Sequence, residues 1–410
     1  MEVLKFDPVP EEYFKTIDYP IEGSTSDIVV ISEEEAENYY KAAQECFKML
    51  DEAADYAIKN NRLGELGIPE YAWNIIEKTF NDASNHPHMV GRFDFAGGLD
   101  GTPIKLMEFN GDTPFSIFEV SSMQYAIAKY HGLNPDKYQY NTLFESLIEY
   151  FVYLFKTYDT SIGKLFHNPN CNIRVCFTNS EDREDDLNTQ ILHEAANEAI
   201  EILNSDEYSP ILSYYHHWTD IGVDKYLGLI SIKEDNVGKW LVDTSFNIVV
   251  KMVPWDLLFL EDEKMCKDII NAMEEYDYLR VINPPYAAVY QSKGLLKIAN
   301  ELFPDSPYLL GYSDVKPPEG VAYVAKPIYG REGCNIDIVS EDGSTTSSDG
   351  YYKDQPKMYQ EKAELNYHEG QYYQAGVFVS MEYPCGLGFR RSESPIISTY
   401  SELCGHIVKH

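Results

Sequence analysis

Three stretches of the sequence predict an α/β protein assembled from α+β lobes. They are a long helical stripe near the N-terminus, a strand–helix alternation in the middle, and a strand-rich final third punctuated by Pro and Gly. With 410 residues, 44% hydrophobic and 14% aromatic, the chain can bury a large core and exceeds the usual length of one compact domain. The divisions fall at 1–165, 166–280 and 281–410, all parts of one unit.

Residues 32–60 read as a helix, because Ser32 with Glu35 forms a capping box and Ala36, Tyr39, Tyr40, Ala43, Cys46, Phe47, Leu50, Ala53, Ala54 and Ala57 make one apolar stripe. The stripe ends at KNNRLGELGIP. A hairpin follows over 91–116, then helices from about Ser116 to Tyr130 and from about Thr142 to Tyr158, the latter carried by Leu143, Leu147, Phe151, Leu154 and Phe155. These helices are expected to scaffold the hairpin. Near residue 166 the β-branched run NIRVCFT, the acidic stretch EDREDD and the periodic segment Leu187–Leu203 make a βα unit, with EDREDD expected as a solvated loop and helix entry. YLGLISI and FNIVVKMV read as strands of the same small α/β lobe. In the last third GVAYVAKPI, CNIDIVS, KMYQ, QYYQAGVFVSM and GLGFRRSESPIIST read as strands, and Ser340–Gly350 as a mobile loop.

The segment GRFDFAGGLDGTPIKLMEFNGDTPFS carries the densest chemistry. Alternation along a strand puts Arg92 and Asp94 on one face and Glu108 and Asn110 on another, and a hairpin closed by AGGLDGT would bring those faces together. Phe93, Phe95, Met107 and Phe109 would face a core on the opposite side. Asp, Glu and Asn oxygens in one cluster suit Mg²⁺ when substrate phosphates complete its shell, and Arg92 beside them can hold a phosphate or a developing oxyanion. The same pattern is also that of a surface hairpin with a solvated polar face. In NGDTPFS, Thr113 and Ser116 could seat a carboxylate at a helix N-terminus, or Asp112 or Thr113 could simply cap it.

Lys326, Gly330, Arg331 and Gly333 put a cation on a strand before a glycine-containing turn, where backbone N–H groups can approach phosphate oxygens. The turn lacks the terminal GK[ST] of a Walker A loop, and a tight hairpin with surface charges has the same residues.

Composition excludes several classes. Sixty-seven acids against 33 Lys and Arg give a formal charge of −34, which repels nucleic acid and anionic membranes and suits a cationic small molecule or mere solubility. The seven cysteines, Cys46, Cys171, Cys176, Cys266, Cys334, Cys385 and Cys404, never form a CxxC pair, so neither a disulfide framework nor a zinc site is indicated. The start MEVLKFDPVPEEYF has no leader pattern, and no apolar run spans a membrane, so a cytoplasmic location is expected. His86 with His88 and His216 with His217 lack metal-site spacing and read as structural.

RFDF, LMEFNGDTP, QSKGLLKIANELFPDSPYLL, AKPIYGREGCNI and GLGFRRSES occur in the order found in the synthetase domain of glutathionylspermidine synthases and trypanothione synthetases, and the chain resembles those ATP-grasp ligases from about residue 10 to the C-terminus. The resemblance implies an ATP-grasp fold and an ATP-dependent C–N ligase that joins a peptide acid, glutathione being the family's, to an amine such as spermidine through an acyl phosphate. The alternatives are a different peptide or amino acid substrate, or a nucleotide-binding protein without turnover. It implies ATP and Mg²⁺ as cofactors, with Asp94, Glu108 and Asn110 on the metal and Arg92 and Arg390 as catalytic cations. It implies ATP contacts at Lys293, Lys326, Gly330, Arg331, Gly333 and Gln360, and acid or amine contacts at Asp112, Thr113, Ser116, Trp255 and Asp256. The chain departs from the family at Ser292, where relatives have Asn, at Trp255-Asp256, where they have Trp-Glu, and at Cys334, where they have a small residue. The N-terminal amidase of bifunctional relatives is not expected, since no Cys precedes Cys46.

Overall fold

The computed structural model describes residues 1–10, 13, 24–162, 172–203, 210–234, 240–398 and 400–409. Cys171 and the expected division at 165/166 lie outside them. Its largest sheet has eight strands and is built from both ends of the chain, in the order Glu2–Leu4, Ser24–Ser32, Glu402–Lys409, Tyr383–Ser392, Gln371–Ser380, Val90–Ala96 and Lys105–Asn110, with Asn366–His368 paired to Gln371–Ser380 off this path. Val90–Ala96 therefore pairs on one side with its hairpin partner and on the other with a strand nearly 300 positions later in the sequence.

One face of this sheet is apolar because Phe93, Phe95, Phe109, Ala375, Val377 and Phe389 alternate onto it. The helix Glu33–Lys59 covers that face. Its capping box at Ser32 and Glu35 and its buried stripe follow the sequence pattern. Phe47 meets Phe93 and Phe109 edge-on at ring distances of 6.5 and 6.1 Å, and Phe93 stacks on Phe109 at 4.0 Å. At the hairpin turn Gly98 has φ +94°, and a Cβ there would sit 2.4 Å from the Tyr39 ring, so only glycine fits.

A four-stranded parallel sheet in the order Arg280–Ile282, Ile248–Lys251, Ile173–Asn179 and Ile211–His217 carries the helix Arg183–Leu203. Its strand Ile248–Lys251 is buried throughout, as a parallel strand covered on both faces requires. Three antiparallel strands, Ile221–Asp224, Gly228–Glu234 and Trp240–Ser245, lie beside the helix Glu263–Glu275. The last sheet, also antiparallel, runs Tyr312–Ser313, Lys357–Glu361, Tyr323–Pro327, Asp337–Val339 and Thr345–Ser347.

Three expectations are corrected. Ser340–Gly350 is not a mobile loop: Thr345–Ser347 pairs with Asp337–Val339, and Asp342 accepts the Ser344 N–H at 2.9 Å to close the turn at Gly343. The acidic stretch is not merely a solvated entry. The helix begins at Arg183, four residues earlier than its apolar periodicity suggested, and Asp185 is buried. Met107 does not join the phenylalanine face. A bulge between Asp94 and Phe95 opposes Phe95 to Leu106, so Leu106 takes the core position and Met107 borders the cleft described next.

Candidate active site

The hairpin register opposes Asp94 to Glu108 and Arg92 to Asn110, which puts all four side chains on the sheet face away from the helix. Asp94 accepts from Arg92 Nε at 2.7 Å and Nη2 at 2.9 Å, a bidentate pair, and from Asn110 Nδ2 at 3.0 Å. Arg92 Nη1 donates to Phe115 O at 2.7 Å, which ties the loop after the hairpin to the pair. The bulge has a second consequence. The Met107 carbonyl, released from the ladder, accepts from Lys326 Nζ at 3.2 Å and Gln360 Nε2 at 3.1 Å.

A cleft of about 360 Å³ opens above this face, walled opposite by the Tyr323–Pro327 sheet. Arg92, Asp94, Glu108, Asn110, Thr113, Lys293, Lys326, Gly330, Arg331, Gly333, Gln360 and Arg390 all line it. Ser116, with φ +71°, lines a smaller recess with Arg92, Asp94 and Arg390. Lys293 Nζ lies 3.4 Å from Glu108 Oε2 and donates to Gly330 O at 2.8 Å. Gly333 has φ +68°, and a Cβ there would fall 2.4 Å from Ile397 O. Arg390 Nη2 donates to Ser398 O at 2.8 Å.

Six cationic residues, Arg92, Lys293, Lys326, Arg331, Lys362 and Arg390, therefore line one cleft of a strongly acidic chain. Burial works to raise the Glu108 carboxyl, but Lys293, Lys326 and Arg92 together outweigh it and hold it at about 2. Burial lowers Lys326 to about 8, partly offset by Glu108 and assisted by Lys293. Arg390 is lowered by burial and by its neighbour Arg92.

Asp112, Trp255 and Asp256, expected to touch substrate, lie behind the cleft wall instead. Asp112 accepts from Lys251 Nζ at 3.1 and 3.2 Å and from the Trp255 N–H at 2.6 Å, and neither the Asp112 nor the Lys251 side chain is exposed. Lys251 Nζ also sits 4.7 Å from the Trp255 ring centre. Trp255 Nε1 donates to Asn283 O at 3.0 Å, and Asp256 is paired with Arg331. The buried carboxylates of Asp112 and Asp256 each already have a cation, and the Trp255 indole N–H already has its acceptor. The helix start after Ser116 is occupied as well. Asn188 Oδ1 accepts from the N–H groups of Ile117 at 2.9 Å and Phe118 at 3.2 Å, so neither an anion nor a cap from Asp112 or Thr113 takes them.

The sequence reading missed Glu184 and Asp185. Both stand at the N-terminal turn of Arg183–Leu203, and the charges acting on Glu184 include Glu119 and Arg390. Burial first, then Glu119, raises Glu184 to about 7 against the pull of Arg390, and burial raises Asp185 to about 6 although the Ser180 hydroxyl donates to it. EDREDD carried the signal, but a run of acids at a helix start looks the same whether its face meets solvent or packs against other charges. His86 and His88 are buried and held neutral by burial, to about 3 and about 4, consistent with structural roles.

Among the described residues no group of three or more His, Cys, Asp or Glu side chains could hold a metal unaided. Two carboxylates and an amide on one face, with Glu108 ionised and a quarter exposed, nevertheless fit Mg²⁺, a hard ion that keeps few protein ligands and takes the rest from phosphate and water.

A sheet-bounded, cation-lined cleft under a glycine turn, opposite a carboxylate hairpin, is the layout of an ATP-grasp fold. The chain belongs to the glutathionylspermidine synthase preATP-grasp family, whose family model matches residues 14–409. The family is one of ATP-dependent acid–amine ligases. A Haemophilus influenzae protein provisionally named an acid–amine ligase is 25% identical over 87% of this chain and 83% of its own length. The Escherichia coli bifunctional glutathionylspermidine synthetase/amidase is 24% identical over 97% of this chain and 62% of its own. Glutathionylspermidine synthase of Crithidia fasciculata is 23% identical over 64% and 36%. The chain thus spans less than two thirds of the latter two proteins. A glutathione-synthetase-like effector from Globodera pallida overlays at TM-score 0.49 and 11% identity, over 92% of this chain and 88% of that one, which is too distant to carry weight. Among the described residues no helix is long and apolar enough to cross a membrane.

Lys251→Met leaves the Asp112 carboxylate buried without its cation and is expected to cost about 3–5 kcal/mol of stability, measured by urea unfolding; adding Asp112→Asn should recover much of that loss. Because the folded-state pKa of Glu184 is raised, folding is favoured while the group is protonated, and that contribution is lost as pH rises through about 7. Between pH 5 and 8 the wild type should therefore lose stability relative to Glu184→Gln; parallel pH curves would refute the burial of this carboxyl.

Proposed function

We propose that this chain is an ATP-dependent carboxylate–amine ligase that activates a peptide acid as its acyl phosphate and transfers the acyl group to an amine. The observation that carries this reading is the shared cleft. The hairpin carboxylates, the lysines and the glycine turn face one volume, and the Arg92–Asp94 pair lies at the end where Arg390 and Ser116 meet.

A carboxylate does not react with an amine at neutral pH, so its oxygen must first take the γ-phosphoryl group of ATP, with ADP leaving. Lys293 and Lys326 are placed to offset phosphate charge, and the Gly330–Asn335 turn to approach it with backbone N–H groups. Asp94, Glu108 and Asn110 would hold Mg²⁺, which when bound neutralises the transferring phosphoryl group. Attack of the neutral amine on the acyl carbon puts negative charge on the carbonyl oxygen. Arg92, its guanidinium fixed by Asp94 and Phe115 O, and Arg390 are the cations that meet this charge before phosphate departs and the amide forms. Glu119 and Glu184 make the neighbourhood of Arg390 acidic on one side, which suits an amine that arrives as an ammonium, and Glu184, titrating near 7, can accept its proton.

The names of the relatives point to glutathione as the acid and a polyamine as the amine. Phosphate release from Mg-ATP across a matrix of peptide acids and amines, with mass spectrometry for a product one water lighter than the pair, tests the reading. Release that needs both partners is expected; nucleotide binding with no release for any pair would favour a non-catalytic protein. Glu108→Gln should fold normally and lower turnover by at least about 100-fold, on the order of 3 kcal/mol in the barrier; unchanged turnover would remove Glu108 from the metal site.

A further inference from the structure

The hairpin carboxylates are engaged before any ligand arrives. Both oxygens of Asp94 accept from Arg92, and Oδ2 accepts from Asn110 Nδ2 at 3.0 Å as well. The acceptor that a divalent ion would need most is therefore Glu108, and Lys293 holds it, with the ammonium 3.4 Å from Glu108 Oε2. The Lys293 side chain is only 6% exposed, so solvent and salt do little to weaken this attraction. Its backbone is fixed, because the Lys293 N–H donates to Ile328 O at 3.1 Å and the residue caps the helix Gly294–Leu302. What can move is the flexible stem of the side chain.

The balance of charge points the same way. Lys326 donates to the carbonyl of Met107, the residue before Glu108, at 3.2 Å, and both Lys326 and Arg92 act on the Glu108 carboxylate. Three cations, Arg92, Lys293 and Lys326, thus face two carboxylates, Asp94 and Glu108, and the cluster is net positive. A divalent ion entering alone would have to displace an ammonium and leave it in the same cleft, adding its own charge to a cluster that already repels cations. A triphosphate reverses that sign. It also offers Lys293 new oxygens on the side of Gly330, whose carbonyl already accepts from Nζ at 2.8 Å.

We propose that Lys293 is the internal counter-ion of the hairpin: in the nucleotide-free protein its ammonium blocks the divalent-cation site at Glu108, and the site opens when a triphosphate draws the ammonium away. The metal then enters with its nucleotide and not before it. Opening by nucleotide rests on the ligase reading above; the blocking of Glu108 by Lys293 does not.

Mn²⁺ alone is the probe, because it takes the same oxygen ligands and its binding is counted by the loss of the free-ion signal in electron paramagnetic resonance. Nucleotide-free wild type should bind it at least about ten times more weakly than Lys293→Met, as expected for a unit charge this close to a divalent ion. Lys293→Arg, which keeps the charge, should stay within about threefold of wild type, and so should Lys362→Met, which removes an equal charge from an exposed position on the cleft wall. Adding Glu108→Gln to Lys293→Met should abolish the gain. Equal binding by wild type and Lys293→Met, an equal gain in Lys362→Met, or a gain that survives Glu108→Gln would overturn the proposal. Lys293→Gln is the second variant should Lys293→Met fail to fold, and tight stoichiometric Mn²⁺ binding by nucleotide-free wild type, lost in Glu108→Gln, overturns the proposal by itself. Calorimetry with a non-hydrolysable ATP analogue, with Mn²⁺ or with EDTA, tests the opening: wild type should prefer the Mn²⁺ complex by at least about tenfold, and Glu108→Gln should lose that preference. Absence of nucleotide binding in both conditions, with the Lys293 variants behaving as expected, would count against the ligase reading and not against the blocking of Glu108.

Discussion

The bidentate pair between Arg92 and Asp94 is the interaction on which the cleft depends. It joins two alternate positions of one strand, which share a face, and the hairpin register brings Glu108 and Asn110 onto that face beside them. A guanidinium buried to this degree is tolerated because two of its nitrogens meet one carboxylate and a third meets a carbonyl. What is left is a cation with a fixed plane, which in the proposed ligase would meet the charge developing on a reacting carbonyl. Fixed dipoles and charges stabilise a transition state without reorganising, which is how such a site lowers a barrier.

A second economy lies in how the other charges are shared. Lys293 and Lys326 lean on Glu108 and on backbone carbonyls, contacts that an incoming triphosphate and its metal can replace group for group. Behind the wall Asp256, Lys251 and Asp112 are closed to solvent and offer no such exchange. The first set reads as a binding surface and the second as a frame. The difference is whether a partner can be displaced without leaving a buried charge alone.

Much of this was legible in the sequence. Strand alternation placed Arg92, Asp94, Glu108 and Asn110 together, and the capping box and apolar stripe gave the first long helix. The strand-turn-strand around Gly330 was equally plain. The pairing of Val90–Ala96 with Gln371–Ser380 was not, because a contact across so many residues leaves no local pattern. The bulge escaped because one extra residue changes the face of Met107 without changing composition. The resemblance to the family implies substrate contacts at Asp112, Trp255 and Asp256, but a motif carries no mark of whether a residue's partner is a ligand or Lys251. Glu184 and Asp185 escaped for the converse reason, since acids at a helix start satisfy the helix dipole whatever lies beyond. Ser340–Gly350 looked mobile by composition, yet its Ser and Thr residues pair as a strand edge.

In the proposed reaction, chemistry passes through an acyl phosphate held between the lysines and the two arginines. With any acid and amine that support turnover, the acid should be supplied with ¹⁸O in its carboxylate and the phosphate products analysed by mass spectrometry. Transfer of one ¹⁸O into inorganic phosphate, with ADP as the other product, is the predicted result. AMP and pyrophosphate, with the label carried into AMP, would show activation as an acyl adenylate and contradict it.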